Sequence, residues 1–280
     1  MQPTIQIFAE HDVAFAVSLA TGFGWTTSPA WFRVFLSHDP AGCFVARIGD
    51  EPIGMVTTTR YTVSAWVGYL MVSPQRGQLG LGTKLLEHAL DHLDTLGVAT
   101  VQLDADPPGI RIYQRHGFVE QFQSRRFRVV GPARRRLAAA VPLTPDELPA
   151  AARLDRESFG DDRARLLGLL YQGAEAAFCV RRQRRLAGYA LLIPSRVGVH
   201  LGPWIAEDRS AAAELLAAAL LRSAGRAVTV GAPGPNRDAV DLLRACGFEE
   251  EPASIRMTRG KPYCGGMGRQ IFGLGSGAIG

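Results

Sequence analysis

Apolar residues along this chain alternate between two periods. In the first 130 positions, short runs suited to strands fall at 4–8, 42–48, 53–61, 65–72 and 99–103, and a last strand starts at Phe118. Helical spacing marks 11–20 and 29–38, and a short helix is expected through Tyr113. The clearest helix starts at Thr83: Leu85, Leu86, Ala89, Leu90, Leu93 and Leu96 recur at helical spacing, and Gly97 ends it. Pro74 closes the strand before it. Further on, Thr144-Pro145-Asp146-Glu147 reads as a capping box with proline at the first helical position, so another helix starts there. A mixed α/β (α+β) fold follows, its central strands arranged around a strand–glycine–helix junction.

The pattern occurs twice. Phe44 opens a strand, a basic turn and then Gly54; Phe178 opens the same sequence of features and reaches Gly188, also ten residues on. Gly117-Phe118 and Gly247-Phe248 recur after segments ending at Arg115-His116 and Ala245-Cys246. Two copies of one fold are therefore expected, over residues 1–130 and 143–260. Residues 131–142, with GPARRR at their start, read as a connector whose arginines form a solvated face. Residues 261–280 form a glycine-rich tail; Ile271, Phe272 and Leu274 suggest that it docks.

Composition narrows the function classes. With 280 residues, 47% hydrophobic and 20% charged, the chain suits a soluble globular protein of one large or two smaller domains. The net charge of +5 is modest for this length. Lys occurs only at Lys84 and Lys261, so nearly all 31 basic residues are Arg, a composition bias rather than a nucleic-acid footprint. The four cysteines lie far apart with no metal-ligand spacing, which points to free thiols and no metal. No signal-peptide core or membrane-length apolar run occurs, so a cytoplasmic location without membrane contact is expected. His88 and His92, four apart, share a helix face with Lys84, Asp91 and Thr95 and read as solvated rather than metal-binding. His116, in a turn, needs no chemical role.

The junction VSPQRGQLGLGTKLL, 72–86, carries the chemistry. Gly77 and Gly82 have the spacing of an ATP phosphate loop, but Thr83-Lys84 stand in reversed order; the dinucleotide pattern fails because position 85 is Leu. What remains is a strand ending at Val72, a turn without bulky side chains, and a helix whose dipole offers positive potential to an anion, most naturally a pyrophosphate. The plainer reading is a tight turn needing positive φ.

That segment resembles the acyl-CoA motif V-x-P-x-x-[RQ]-x-x-G-x-[GA] of the GNAT superfamily of N-acyltransferases, and LDADPPGIRIYQRHGF resembles the second hallmark of that family, N-x-x-A-x-x-[LI]-Y-x-x-x-G-F, at the family's distance from the first. The resemblance covers 55–128 directly and, through the duplication, most of the chain. It implies a tandem GNAT fold, each copy a mixed sheet flanked by helices, and an enzyme that moves an acetyl or other short acyl group from CoA to a primary amine of a small molecule. Met71 and Val72 would face the pantetheine arm; Gly77, Gln78, Leu79, Gly80, Leu81, Gly82 and Thr83 would cradle the pyrophosphate. Tyr113 would sit near the CoA sulfur as proton donor to the leaving thiolate, its alternative being a core aromatic beside Phe118.

Gly77 departs from the usual Arg or Gln, and Asp106 and Gly109 replace Asn and Ala. The strand SAWVGYLMV lacks the carboxylate that many members use as a base. Asp104 and Asp106 are the nearest acids, either to attract the amine or to start a helix. Phe23, Trp25, Trp31, Phe32 and Phe35 cluster where family members line the acceptor site; Trp25 is the candidate contact. The second copy keeps Asn236 and Ala239 but has Leu243 in place of Tyr113 and no glycine turn in GPWIAEDRSAAAELL, so it reads as degenerate. A catalytically silent acyl-CoA sensor and a nucleotide-binding regulator are the competing classes.

Overall fold

A computed structural model describes residues 2–75, 80–130, 140–261 and 268–280. Its first half runs β1 (Thr4–Ile7), α1 (Val13–Gly22), α2 (Pro29–His38), β2 (Cys43–Ile48), β3 (Glu51–Arg60), β4 (Ser64–Val72), α3 (Leu81–Thr95), β5 (Thr100–Ala105), α4 (Ile110–Arg115) and β6 (Val119–Val130). The second repeats that order with β7 (Val141–Pro142), α5 (Leu148–Phe159), α6 (Ala164–Gly173), β8 (Ala176–Arg182), β9 (Arg185–Ser195), β10 (Gly198–Ala206), α7 (Arg209–Arg222), β11 (Ala227–Pro233), α8 (Arg237–Ala245) and β12 (Glu249–Gly260). A short β13 (Ile271–Gly273) follows.

The repeated glycines have a packing reason. A Cβ on Gly54 would meet the Met71 carbonyl at 2.9 Å and Leu85 at 3.1 Å; one on Gly188 would meet the Ile205 carbonyl at 2.9 Å and Leu215 at 3.0 Å. Only glycine lets α3 and α7 lie this close to their sheets. Gly117 and Gly247 adopt φ of +81° and +83° and turn the chain out of α4 and α8, burying Phe118 and Phe248. The capping box at Thr144 forms through Glu147, whose carboxylate accepts from the Thr144 N–H at 2.9 Å.

The spatial boundary between the copies differs from the sequence boundary. All strands join one sheet in the order β1-β2-β3-β4-β5-β12-β6-β11-β10-β9-β8-β7, with β13 beside β10. Each copy's last strand is thus inserted beside the other's penultimate one: β12 pairs with β5, and β6 with β11. Ser124 faces Ser254 where β6 and β12 cross the pseudo-twofold centre.

Three apolar layers clothe the sheet. One face carries α3 and α4 over the first half, through Leu85, Leu86, Leu93 and Phe118. Beside it α7 and α8 cover the second half through Leu215, Leu216, Val240 and Leu243. The opposite face is shared: α1, α2, α5 and α6 contribute Leu19, Phe32, Leu154 and Leu167 to one core that also takes in Ile271, Leu274 and Ile279 of the tail. Among the described residues no helix is long and apolar enough to cross a membrane.

Of the two helix-face histidines, His88 is exposed as the sequence suggests and His92 is not fully solvated. His88 and His92 present ring edges to Phe44 at centroid distances of 4.5 and 5.3 Å, and His92 is half-buried with its pKa lowered, first by desolvation. Phe44, buried on β2 between β1 and β3, gives them an aromatic partner that helix periodicity alone does not reveal. His116 likewise has a structural partner, its Nδ1 lying 2.7 Å from the Ile112 carbonyl.

Candidate active site

Parallel strands β4 and β5 pair only from Ser64–Thr100 to Trp66–Gln102. Beyond that point β4 bulges: Tyr69 takes a φ of +45°, and the register against β3 shifts between Met55 and Thr57. A left-handed tyrosine is costly unless the surroundings hold it, and here they do. Its ring meets Phe32 at 4.8 Å, Phe35 at 5.6 Å and Trp25 at 5.6 Å, and its hydroxyl donates to Thr27 Oγ1 at 2.9 Å. Burial pushes the Tyr69 pKa up to about 12. The bulge parts β4 from β5 and opens a V-shaped notch whose arms are the ends of those strands.

Around the notch the anticipated residues fall as follows. Met71 is buried on β4 opposite Met55, and Val72 stands opposite Gly54. Gly80 takes a φ of +63° and caps α3, which begins at Leu81, two residues earlier than periodicity suggests. Leu81 is buried and Thr83 half-buried. A Cβ on Gly82 would lie 3.9 Å from both Val72 and Ile112, so the end of β4, the start of α3 and α4 converge there. Gly77, Gln78 and Leu79 lie outside the described residues. Among the described residues the α3 terminus has neither a side-chain cap nor an acid in its first turn, a helix start of the kind that suits an anion.

Tyr113, on α4, is half-buried with its ring 5.9 Å from Phe118 and tilted by 70°. Gly109 explains how the ring fits: a Cβ there would meet Tyr113 Cε2 at 3.1 Å. Desolvation, with the Asp106 charge adding to it, raises the phenol pKa well above its usual value, so the group stays protonated through the neutral range.

Asp104 and Asp106 are brought to the end of β5, but both are engaged by arginines. Asp104 accepts from Arg256 Nε at 2.7 Å and Nη2 at 3.1 Å and from Ser124 Oγ at 2.7 Å, and the Asp104 and Arg256 side chains are each 1% exposed. The Arg256 guanidinium lies over Trp66 at 4.3 Å. Asp106 accepts from Arg126 Nη2 at 2.6 Å; although it stands at an N-cap, its side chain caps no backbone N–H. Sequence reasoning missed Arg256 because it comes from the exchanged strand of the other half. Tyr69 could have been found, since a glycine before an aromatic inside a strand signals a bulge. Trp25, held between Phe23 and Tyr69, sits in the α1–α2 loop beside that bulge. The Arg196 N–H donates to the neighbouring Thr26 carbonyl at 3.1 Å.

Residues 9–118 match the profile of the acetyltransferase (GNAT) family, and residues 151–273 match a second profile, an acetyltransferase (GNAT) domain. The chain belongs to the GNAT superfamily. A holothin acyltransferase from Pseudoalteromonas sp. (strain SANK 73390) is 29% identical over 233 residues, 81% of this chain and 78% of that one. Two solved structures share the fold. A Pyrococcus horikoshii protein superposes with a TM-score of 0.87 at 24% identity over 99% of this chain and 96% of its own. A tandem GNAT protein from the clavulanic acid biosynthesis pathway gives 0.66 at 16% identity over 94% and 100%. The chain is an acyl-CoA N-acyltransferase of this superfamily, with acyl-CoA as co-substrate.

The two GNAT copies differ at the equivalent notch. In the second, β10 and β11 pair in parallel from Gly198–Ala227 to His200–Thr229 and then part. The chain's own tail fills the gap. Trp204 pairs with Gly273 and Ile205 with Ile271, while the Leu274 N–H donates to the Gly231 carbonyl on β11 at 2.7 Å. Asn236 holds this segment, its Nδ2 donating to the Arg269 and Ile271 carbonyls at 2.9 and 2.8 Å while its Oδ1 accepts from the Ala239 N–H. At the start of α7 the Asp208 carboxylate caps the helix, accepting from the Ala211 N–H at 2.8 Å. An acid stands there instead of an anion-binding turn.

Asn236→Ala removes an N-cap, one buried and one partly buried hydrogen bond together. It should cost about 2–4 kcal/mol, read as a lower urea midpoint at unchanged slope.

Proposed function

We propose that the first copy holds acyl-CoA and transfers an acetyl or other short acyl group to a primary amine of a small molecule by direct attack, with Tyr113 as general acid. One contrast carries this reading. Among the described residues the first copy has an uncapped helix start and a parted strand pair, whereas in the second an acid occupies the helix start and the chain's own strand lies in the gap. In the first copy, the α3 terminus with Gly80 and Gly82 grips the diphosphate, and Met71 and Val72 offer backbone groups to the pantetheine arm. As the amine nitrogen bonds to the thioester carbon and the carbon–sulfur bond breaks, the Tyr113 hydroxyl protonates the departing sulfur. Water takes up the amine proton and returns one to the phenolate, leaving amide and free CoA thiol.

The lack of a carboxylate on β4, together with the arginine pairing of Asp104 and Asp106, favours one competing reading, a catalytically silent acyl-CoA-binding protein. The deciding assay is thiol release from acetyl-CoA across a panel of primary amines, with holothin, after which the relative above is named, tested beside them. Release dependent on one amine supports the enzyme. Tight acetyl-CoA binding with no release by any amine supports the silent protein.

A further inference from the structure

The tail does not end in the second notch. From Leu274 it crosses the shared face of the sheet to the first one. On the way it touches the glycines before the two strand irregularities: a Cβ on Gly202 would meet the Leu274 carbonyl oxygen at 1.9 Å, and one on Gly68 would meet the Ala278 Cβ at 2.5 Å and its Cα at 2.9 Å. Neither position admits a side chain while the tail stays in place.

At the first notch the tail is hydrogen-bonded from the β4 side. The Trp66 Nε1–H donates to the Gly277 carbonyl at 3.0 Å, and the Tyr61 hydroxyl donates to the Ile279 carbonyl at 2.6 Å. Ala278 rests on Gly68 of β4. A Cβ on Gly277 would lie 3.8 Å from the Asp104 Cβ of β5, itself immobilised by Arg256. Gly68 and Asp104 lie just beyond the last paired residues of their strands, Trp66 and Gln102. Gly277-Ala278 therefore spans the apex of the V from one arm to the other.

We propose that Gly277 and Ala278 are the end stop for the acyl chain and restrict the enzyme to short acyl groups. The inference rests on acyl-CoA occupying the first notch, and adds what limits its acyl end. A chain entering from the α3 side runs toward the shared face and meets tail backbone at the apex, between the exposed Gly277 and the fully buried Ile279. Two substitutions alter the stop without crossing a backbone clash. Gly277→Ala places its methyl at ordinary contact distance from Asp104, and Ala278→Gly removes the group seated on Gly68.

Calorimetric titration of the full chain with CoA, acetyl-CoA, butyryl-CoA and octanoyl-CoA tests this. CoA without an acyl group probes the notch alone; absence of CoA binding overturns the site assignment and the end stop with it. Given CoA binding, octanoyl-CoA should bind the unmodified protein about tenfold more weakly than acetyl-CoA, the discrimination a closed pocket exerts on added methylenes. Gly277→Ala should weaken butyryl-CoA relative to CoA, and Ala278→Gly should narrow the octanoyl penalty, with CoA affinity unchanged in both. Equal affinity for octanoyl- and acetyl-CoA in the unmodified protein overturns the end stop alone. So do variants that move CoA and its acyl derivatives by the same factor.

Discussion

Tyr113→Phe is expected to lower turnover by about 10²- to 10⁴-fold, the usual contribution of a positioned proton donor, with acetyl-CoA affinity unchanged. The ring packs on Gly109 and faces Phe118, and phenylalanine preserves both contacts, so folding should be undisturbed. The pH dependence gives the sign. Because burial and the Asp106 charge raise the phenol pKa, the protonated donor persists upward from the neutral range. The rate should not fall with Tyr113 ionisation until the pH passes the ordinary tyrosine value of about 10. Rapid-quench turnover measured beside equilibrium binding checks both parts. A variant that loses binding and turnover together would place Tyr113 in the packing of α4 rather than in the chemistry.

The second large effect is on stability. Asp104→Ala strips the buried Arg256 guanidinium of both its carboxylate bonds, in a site where Arg256 Nη1 already has no hydrogen-bond partner among the described residues. An uncompensated buried charge costs about 3–5 kcal/mol, a large part of a typical domain's stability, and the urea midpoint should fall accordingly. Converting both members to apolar residues of similar size, Asp104→Leu with Arg256→Met, should recover most of the loss, since a buried pair contributes little net stability when well replaced. If the single variant is as stable as the parent, water reaches the pair and it is not a fixed wall of the notch.

Much of this fold was legible because its signals are local. Gly54 and Gly188 announce the duplication through a close helix approach that any copy must repeat, and the leucine periodicity of α3 follows from its buried face. Val72, Gly82 and Ile112 come together because a strand end, a helix start and a short helix follow one another within about forty residues. What stayed hidden depends on distant partners. Arg256 and Asp104 stand 152 positions apart, and nothing in either segment marks the other. The exchange of β6 and β12 leaves no trace in periodicity, since a strand is equally apolar beside its own half or the other. β13 is three residues long, too short for a period, so Ile271, Phe272 and Leu274 suggest docking without saying where. The arginine partners of Asp104 and Asp106, read from sequence as acids that attract the amine or start a helix, stayed hidden for the same reason: they arrive on strands whose placement only the assembled sheet determines.

The crossing of β6 and β12 also governs what can be inherited. With its closing strand lodged in the neighbour's sheet, neither half is a module that recombination could lift out and graft elsewhere intact. Change on one side must be accommodated on the other, so the two repeats are bound to evolve as a single unit.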